Sequence, residues 1–290
     1  MKKIISHEID LLSFLKENFP SSSTNKLRKM LSSGRIRING EIIHAAKKVL
    51  ISGDLVEILD KSNSKPMPNP AKKQDKSPID IIYEDEQILV VCKPSKLLSI
   101  ATDRLESDTL HSKCVDYLRK IDSRSWAYIV HRLDKETSGI MLLAKSKSAK
   151  DYLQEQFSQR SVYRIYHALV EGHPEGPSGT ISQYLFEDKN LNIKPTSKSN
   201  KQGKQAITHW ELISTNGNTS MIRIMIETGR RHQIRMAMKS IGHPIVGDLT
   251  HGATVNPLAR ICLHATSLEF LHPQDDEPVR FEAKNPFKLL

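Results

Sequence analysis

The segment HRLDKETSG, residues 131–139, sets a histidine, an arginine and a carboxylate within four positions of one another. It stands between the apolar AYIV and the apolar GIMLLAKS, so a charged loop is wedged between stretches that should be buried. Thr137-Ser138-Gly139 can turn the chain sharply into the second stretch. An imidazole, a guanidinium and a carboxylate held this close are the materials of proton transfer and charge stabilisation. A structural reading stands beside that one: Asp134 accepts backbone N–H bonds in the loop, or pairs with an arginine to hold the fold.

A second cluster, ETGRRHQIRMAMKSIGHPIVGD, follows the strand-like MIRIMI and runs into an amphipathic helix, with Arg230, Arg231, His232 and Arg235 near its start. Arginines there oppose the helix dipole, so an anion should compensate them. Arg231 and Arg235 are four apart and share a helix face. They form a basic surface patch, or one of them pairs with a buried carboxylate such as Asp134 and keeps it ionised. In a third segment, SVYRIYHALVEG, Tyr163 and Tyr166 stand at the mouth of a strand, where an aromatic is ordinarily core. Of the 12 histidines, His232, His243, His251 and His264 invite a metal reading, but their spacing matches no ligand pattern such as H-E-x-x-H.

The elements that must position these clusters alternate without the rhythm of a parallel sheet. QILVVCK ends at Pro94, and TLHSKCVDYLRKI puts Leu110, Cys114, Val115 and Leu118 on one helical stripe. GIMLLAKS reads as a buried strand and KSAKDYLQEQFSQ as an amphipathic helix. YHALVEG, QAITHWELI, SMIRIMIETG, ICLHATSLEFLHP and VRFEAK are strand-like, with alternation clearest in HWELI and MIRIMIE. The rear of the chain is therefore expected to be α+β, a mixed and mostly antiparallel sheet flanked by helices.

In front, KSNSKPMPNPAKKQDKSPID at 61–80 is too polar and too rich in proline to order itself and predicts a flexible basic linker. It separates a domain at 1–60 from one at 81–290. The first should be a small α/β domain: Ile9, Leu11, Leu12, Phe14 and Leu15 at helical spacing before Pro20, a second helix in SSSTNKLRKMLSSG, then RIRING with its Asn39-Gly40 turn and DLVEIL as hairpin material. Between Thr24 and Gly40 stand Lys26, Arg28, Lys29, Arg35 and Arg37 with no acidic residue. Such a cluster meets phosphates or is simply a solvated face.

The whole chain of 290 residues carries 43 Lys and Arg against 33 Asp and Glu, a net charge of +10 that suits a polyanionic partner. Three widely spaced cysteines, Cys92, Cys114 and Cys262, exclude a disulfide framework and a cysteine zinc site. His7, Glu8 and Asp10 interrupt any signal-peptide core, so a soluble cytoplasmic protein is expected.

Over residues 7–58 the front segment, with LRKMLSSGRIRINGEII and SGDLVEI, resembles the small RNA-binding module named after a ribosomal small-subunit protein, the S-four-like domain. The resemblance implies RNA binding through Lys26, Arg28, Lys29, Arg35 and Arg37. Behind it, HRLDKETSG, YHALVEG, TGRRHQIR with GHPIVGD, and LHATSLEFLHP follow in the order of the pseudouridine synthases of the RluA/RluD type, over about residues 80–290. That resemblance makes Asp134 the catalytic aspartate, Tyr166 the active-site tyrosine and Arg235 the partner of Asp134. Ile234 would pack beside the base, Arg132 would hold the flipped nucleotide or its backbone, and His131 would orient the loop at the substrate. Arg230 and Arg231 would contact RNA. Arg231 stands where Ser or Thr is common, and His251 where Tyr is common.

The two resemblances together imply isomerisation of uridines in large-subunit ribosomal RNA. The base is flipped and the C1′–N1 glycosidic bond is exchanged for C1′–C5. No metal or cofactor is expected, because the substrate supplies both halves and no phosphate loop or dinucleotide fingerprint occurs. A monomer is expected, since no heptads or long apolar surface stretches occur. The competing readings are a synthase acting on transfer RNA, a ribosome assembly factor that binds RNA without catalysis, and a metal-dependent nuclease. The last lacks the clustered carboxylates it would need.

Overall fold

Alternation in HWELI and MIRIMIE becomes a long antiparallel pair in the computed structural model, which describes residues 2–22, 24–32, 35–43, 48–59, 79–102 and 104–289. The linker expected at 61–80 lies outside the described residues except for Ile79 and Asp80, and so do the side chains of Arg28 and Lys29. The chain divides into two compact units: Met1–Pro78 with Ala101–Ser107, and Ile79–Ile100 with Asp108–Leu290.

The front unit contains β1 (Lys2–Ile4), β2 (Ile9–Asp10), α1 (Leu11–Asn18), α2 (Thr24–Ser32), β3 (Ile36–Ile38), β4 (Glu41–Ile42), β5 (Val49–Leu50) and β6 (Leu55–Ile58). Asp10 starts α1 by accepting the Ser13 amide at 3.0 Å, the usual work of an N-cap carboxylate. Asn39 and Gly40, both at positive φ, make the two-residue turn from β3 to β4 that their sequence announces. The sheet runs β1-β6-β3-β4, entirely antiparallel, and β2 pairs separately with β5. Leu11, Leu15, Leu27, Leu31, Ile36 and Leu50 are its fully buried core. Leu105, from the short segment carried by the later part of the chain, packs against that core.

The rear unit contains β7 (Asp80–Glu84), β8 (Ile88–Lys93), α3 (Leu110–Ile121), β9 (Tyr128–Ile129), β10 (Ser138–Ala144), α4 (Lys147–Gln159), β11 (Tyr163–Glu171), β12 (Ser178–Glu187), β13 (Ile193–Thr196), β14 (Lys204–Asn216), β15 (Thr219–Ile226), α5 (Gln233–Ser240), β16 (Leu263–Leu271) and β17 (Pro278–Glu282). Its sheet follows β13-β12-β14-β15-β11-β16-β10-β8-β7, with β17 on β16 and β9 on β10. All pairs are antiparallel except β10 with β16. This is the mixed α+β architecture expected. The first strand of the rear unit, β7, starts at Asp80, the last residue of the stretch read as linker. Sequence alternation did not reveal β12 and β13, which are mostly exposed and so lack a buried apolar face.

The parallel pair depends on Gly139. Its φ of +113° suits glycine alone, and a Cβ there would stand 2.2 Å from the Ala265 carbonyl oxygen. The turn out of HRLDKETSG is thereby pressed flat on β16. On one side of the sheet the α3 stripe of Leu110, Cys114, Val115 and Leu118 is buried against Leu89, Val91, Met141 and Leu143, each large side chain contributing about 1.5–3 kcal/mol. A second cluster gathers Leu133, Tyr166, Ile224, Ile234, Ala237, Met238 and Ala265, joining the loop before β10 to β11, β15, α5 and β16.

Candidate active site

The segment after β8 grips the polar loop at three residues around Asp134. The Ser99 hydroxyl donates to the Leu133 carbonyl at 2.6 Å and accepts the Leu133 amide at 3.1 Å. Lys93, fully buried, donates from Nζ to the Lys135 carbonyl at 3.0 Å as well as to Pro94 at 3.0 Å and Leu97 at 2.7 Å. Ser95 donates to the Glu136 carbonyl at 2.8 Å. Within the loop, the Thr137 amide donates to the Asp134 carbonyl at 3.1 Å. Burial pulls the Lys93 ammonium down to about 8, while the charge of Asp134 opposes that shift. A backbone held at residues 133, 135 and 136 leaves Asp134 little freedom except in its side chain.

That side chain is unused by the fold. The half-buried Asp134 carboxylate accepts no hydrogen bond and forms no ion pair among the described residues. The structural reading, in which it caps loop amides or braces an arginine, is therefore not what the geometry shows. Its charge reaches Lys93, Tyr166, His232 and His251. Tyr166 is buried on β11 beside Leu133 and Ile234, and its hydroxyl has no bonded partner among the described residues. Burial pushes that phenol up, and Asp134 adds to the push while Arg164 opposes it. Ile234 belongs to the same buried cluster as Tyr166.

The expected pairing of Arg235 with Asp134 is not formed. Arg235 is bound in a bidentate pair by Asp248, Nε to Oδ2 at 2.6 Å and Nη2 to Oδ1 at 2.7 Å, and both side chains are nearly excluded from solvent. Asp248 is the last residue of GHPIVGD, which turns back beneath α5 and brings its carboxylate to the helix. It is the anion that the arginine near the helix start required. Beside this pair, His251 Nε2 and His232 Nδ1 lie 3.1 Å apart. Burial first, then the Arg235 charge, holds His232 down at about 4.

His131, expected to orient the loop, is bound to the protein on both sides of its ring. Its Nε2 accepts the Leu142 amide of β10 at 3.0 Å, and its ring stacks on Phe157 of α4 with centroids 4.9 Å apart. Burial, assisted by the Arg164 charge, depresses the imidazole to about 3, as an accepting ring in an apolar site requires.

A model of the family described as RNA pseudouridylate synthase matches residues 87–240, which contain the clamp, the loop, Tyr166 and Arg235. The chain belongs to that family. It is 33% identical to the ribosomal large subunit pseudouridine synthase D of Zymomonas mobilis over 92% of this chain and 89% of the relative. With the enzyme of the same name from Escherichia coli it shares 31% identity over 94% of this chain and 86% of the relative. Among solved structures it is similar to human RNA pseudouridylate synthase domain containing 1, with TM-score 0.60 and 26% identity over 72% of this chain and 84% of the other.

In the synthase the remaining expected residues fall into two groups. Arg132 is exposed and makes no hydrogen bond or ion pair among the described residues. Arg230 and Arg231 are tethered by protein: Arg230 Nε donates to the Gln205 carbonyl at 3.1 Å, and Arg231 donates to Glu187 at 2.7 Å and the Leu191 carbonyl at 3.0 Å. In the front unit Lys26 is exposed on α2, Arg35 donates from Nε to the Leu59 carbonyl at 2.8 Å, and Arg37 is half-buried with its Nε unpartnered. The sequence reading missed Lys93, Ser99, Arg164 and Asp248. A lysine closing an apolar strand ahead of proline, and an arginine two before the site tyrosine on the same strand face, were signals present in CKP and YRIY.

Proposed function

We propose that the synthase isomerises uridine to pseudouridine in large-subunit ribosomal RNA, with Asp134 as the group that acts at C1′. The observation that carries this reading is a carboxylate left without a partner on a loop whose backbone is clamped on both sides, next to a buried tyrosine that is equally unpartnered. Spare acceptors are costly to keep in a half-buried site unless substrate uses them. Two relatives that this chain matches over most of their length are named for the large ribosomal subunit.

The reaction breaks the C1′–N1 bond, turns the uracil, forms C1′–C5 and releases the C5 proton, with no redox change. A carboxylate beside C1′ either stabilises the positive character that develops there or bonds to the carbon, as in glycoside cleavage. The rigid loop supplies position, which is worth several orders of magnitude for a correctly placed group. Tyr166 stacks on the flipped base and serves the final deprotonation. Arg132, exposed and uncommitted, holds the displaced backbone, while Ile234 closes the pocket side. In the front domain Lys26, Arg28, Lys29, Arg35 and Arg37 meet RNA phosphates in a sequence-independent grip. Among the described residues no helix is long and apolar enough to cross a membrane; a cytoplasmic monomer is the form we propose.

The test is tritium release from C5-labelled uridine in unmodified large-subunit ribosomal RNA, comparing the native chain with Asp134→Asn and Tyr166→Phe. Release by the native chain, none by Asp134→Asn, slow release by Tyr166→Phe and similar RNA affinity in all three is the expected result. Appreciable turnover by Asp134→Asn overturns the assignment. Release only from transfer RNA replaces the substrate, and no release from any RNA returns the chain to a binding role.

A further inference from the structure

Arg164 is a buried cation with no anion paired to it among the described residues. It lies on β11 two residues before Tyr166, on the same face of the strand, and is 8% exposed. One guanidinium nitrogen donates to the Glu227 carbonyl at 3.2 Å, Nε is buried without a partner, and the group lies 5.5 Å from the centre of the Phe157 ring. A Cβ on Gly229 would come within 2.9 Å of Nη1, so the absence of a side chain there makes room for the guanidinium. A single carbonyl and an aromatic face compensate a buried charge poorly, and an unpaired ion in such a place costs several kcal/mol. Burial lowers the pKa of this guanidinium from its ordinary value, the direction expected of a cation short of partners.

The charged groups that act on Tyr166 are Arg164 on its own strand and Asp134 from the loop. The residues opposite it, Ile224 on β15 and Ala265 on β16, are neutral, as are Leu133 and Ile234 in the same cluster. Arg223 of β15 is spent on Glu211, and His264 of β16 on Ser138. His131, whose Nε2 accepts the Leu142 amide, is kept neutral by burial, and the Arg164 charge works in the same direction. Arg164 is also enclosed too deeply, beneath Phe157 and against Gly229, for an RNA phosphate to reach it.

We propose that Arg164 is a positioning residue for Tyr166: it stabilises the phenolate that removes the C5 proton of the turned base. The inference rests on the synthase reading. In the step, the Tyr166 phenol first gives its proton to solvent. After C1′–C5 has formed, the C5–H bond breaks and its electron pair becomes the C5=C6 bond. The former C6=N1 pair moves to N1, which takes a proton from solvent. The C5 proton goes to the phenolate and regenerates the phenol. A preorganised cation placed where negative charge develops needs no reorganisation at the moment of transfer.

The full-length chain is compared as native protein, Arg164→Met, Arg164→Lys and Tyr166→Phe. The phenolate absorbance of Tyr166, taken as native minus Tyr166→Phe, is titrated without substrate, and tritium release is followed across pH. Expected for Arg164→Met is an upward move of the Tyr166 titration by at least about one pH unit, with kcat at fixed pH down about tenfold or more. KM stays within about twofold, and the thermal midpoint is unchanged or raised, because an unpaired buried charge has been removed. Arg164→Lys restores most of both the titration and kcat. An unmoved titration, a raised KM with normal kcat, or a lowered midpoint with no change in pH profile overturns the role of Arg164. A native chain without turnover on any RNA refutes the synthase reading and the proton step with it.

Discussion

Replacing Asp248 separates the two possible partners of Arg235. In Asp248→Asn the guanidinium keeps its burial, with a side chain only 6% exposed, but loses the countercharge bonded at 2.6 and 2.7 Å. Breaking one half of a buried pair costs about 3–5 kcal/mol, since a charge is left uncompensated. For a unit of this size each kcal/mol moves the midpoint by about 2–4 °C, so a fall of roughly 6–20 °C is expected. The double variant Arg235→Met with Asp248→Leu removes both charges and should recover most of that loss. Asp134→Asn should change stability by less than about 0.5 kcal/mol, because no bond is lost. Thermal and urea unfolding of these variants, arranged as a double-mutant cycle, measures the coupling directly. A mild effect of Asp248→Asn together with a severe one of Asp134→Asn would refute the geometry and restore the pairing first expected from the sequence.

Two further outcomes follow from buried bases. Lys93 titrates at about 8 in the folded chain against 10.5 ordinarily, so between those values the unfolded chain holds a proton that the folded chain has released, and stability rises with pH across the window by up to about 3 kcal/mol. Lys93→Met should abolish that slope and cost about 1–3 kcal/mol for each of the three carbonyls it leaves short of a donor; unfolding curves from pH 7 to 11 that match the native ones would contradict the burial. His131, depressed to about 3 from 6.5, works in the acid range: the unfolded chain takes the proton first, so stability falls as pH drops from 6.5 toward 3. His131→Phe should keep the stack on Phe157, lose about 1–3 kcal/mol with the Leu142 bond, and show a flatter acid limb in urea unfolding.

The polar loop could be recognised in the sequence because HRLDKETSG interrupts two apolar stretches, and a charged loop between buried segments is conspicuous in one dimension. The long strands were equally legible, since the first half of β14 and the second half of β15 bury one face more deeply than the other and so alternate. Partner choice was not legible. Arg235 had two carboxylates available, and spacing along the chain does not say that the turn ending in GHPIVGD carries Asp248 beneath α5. Lys93 escaped notice because a lysine after ILVVC reads as the polar end of a strand, whereas the chain folds its stem inward and satisfies its ammonium with two nearby carbonyls and a third from a loop 42 residues away. Tyr166 is core by burial, as an aromatic entering a strand ordinarily is, and its hydroxyl has no bonded partner among the described residues.

The parallel contact of β10 with β16 also sets a schedule. Ser138 shares a hydrogen bond with His264 of β16, 126 residues later. At a synthesis rate of about 5–20 residues per second, the Asp134 loop waits roughly 6–25 seconds on the growing chain before the strand that seats Gly139 has been made. Local hairpins can close long before then, but this loop is bound to a late arrival. A chain that stops short of β16 therefore carries every residue of HRLDKETSG without the strand that seats them.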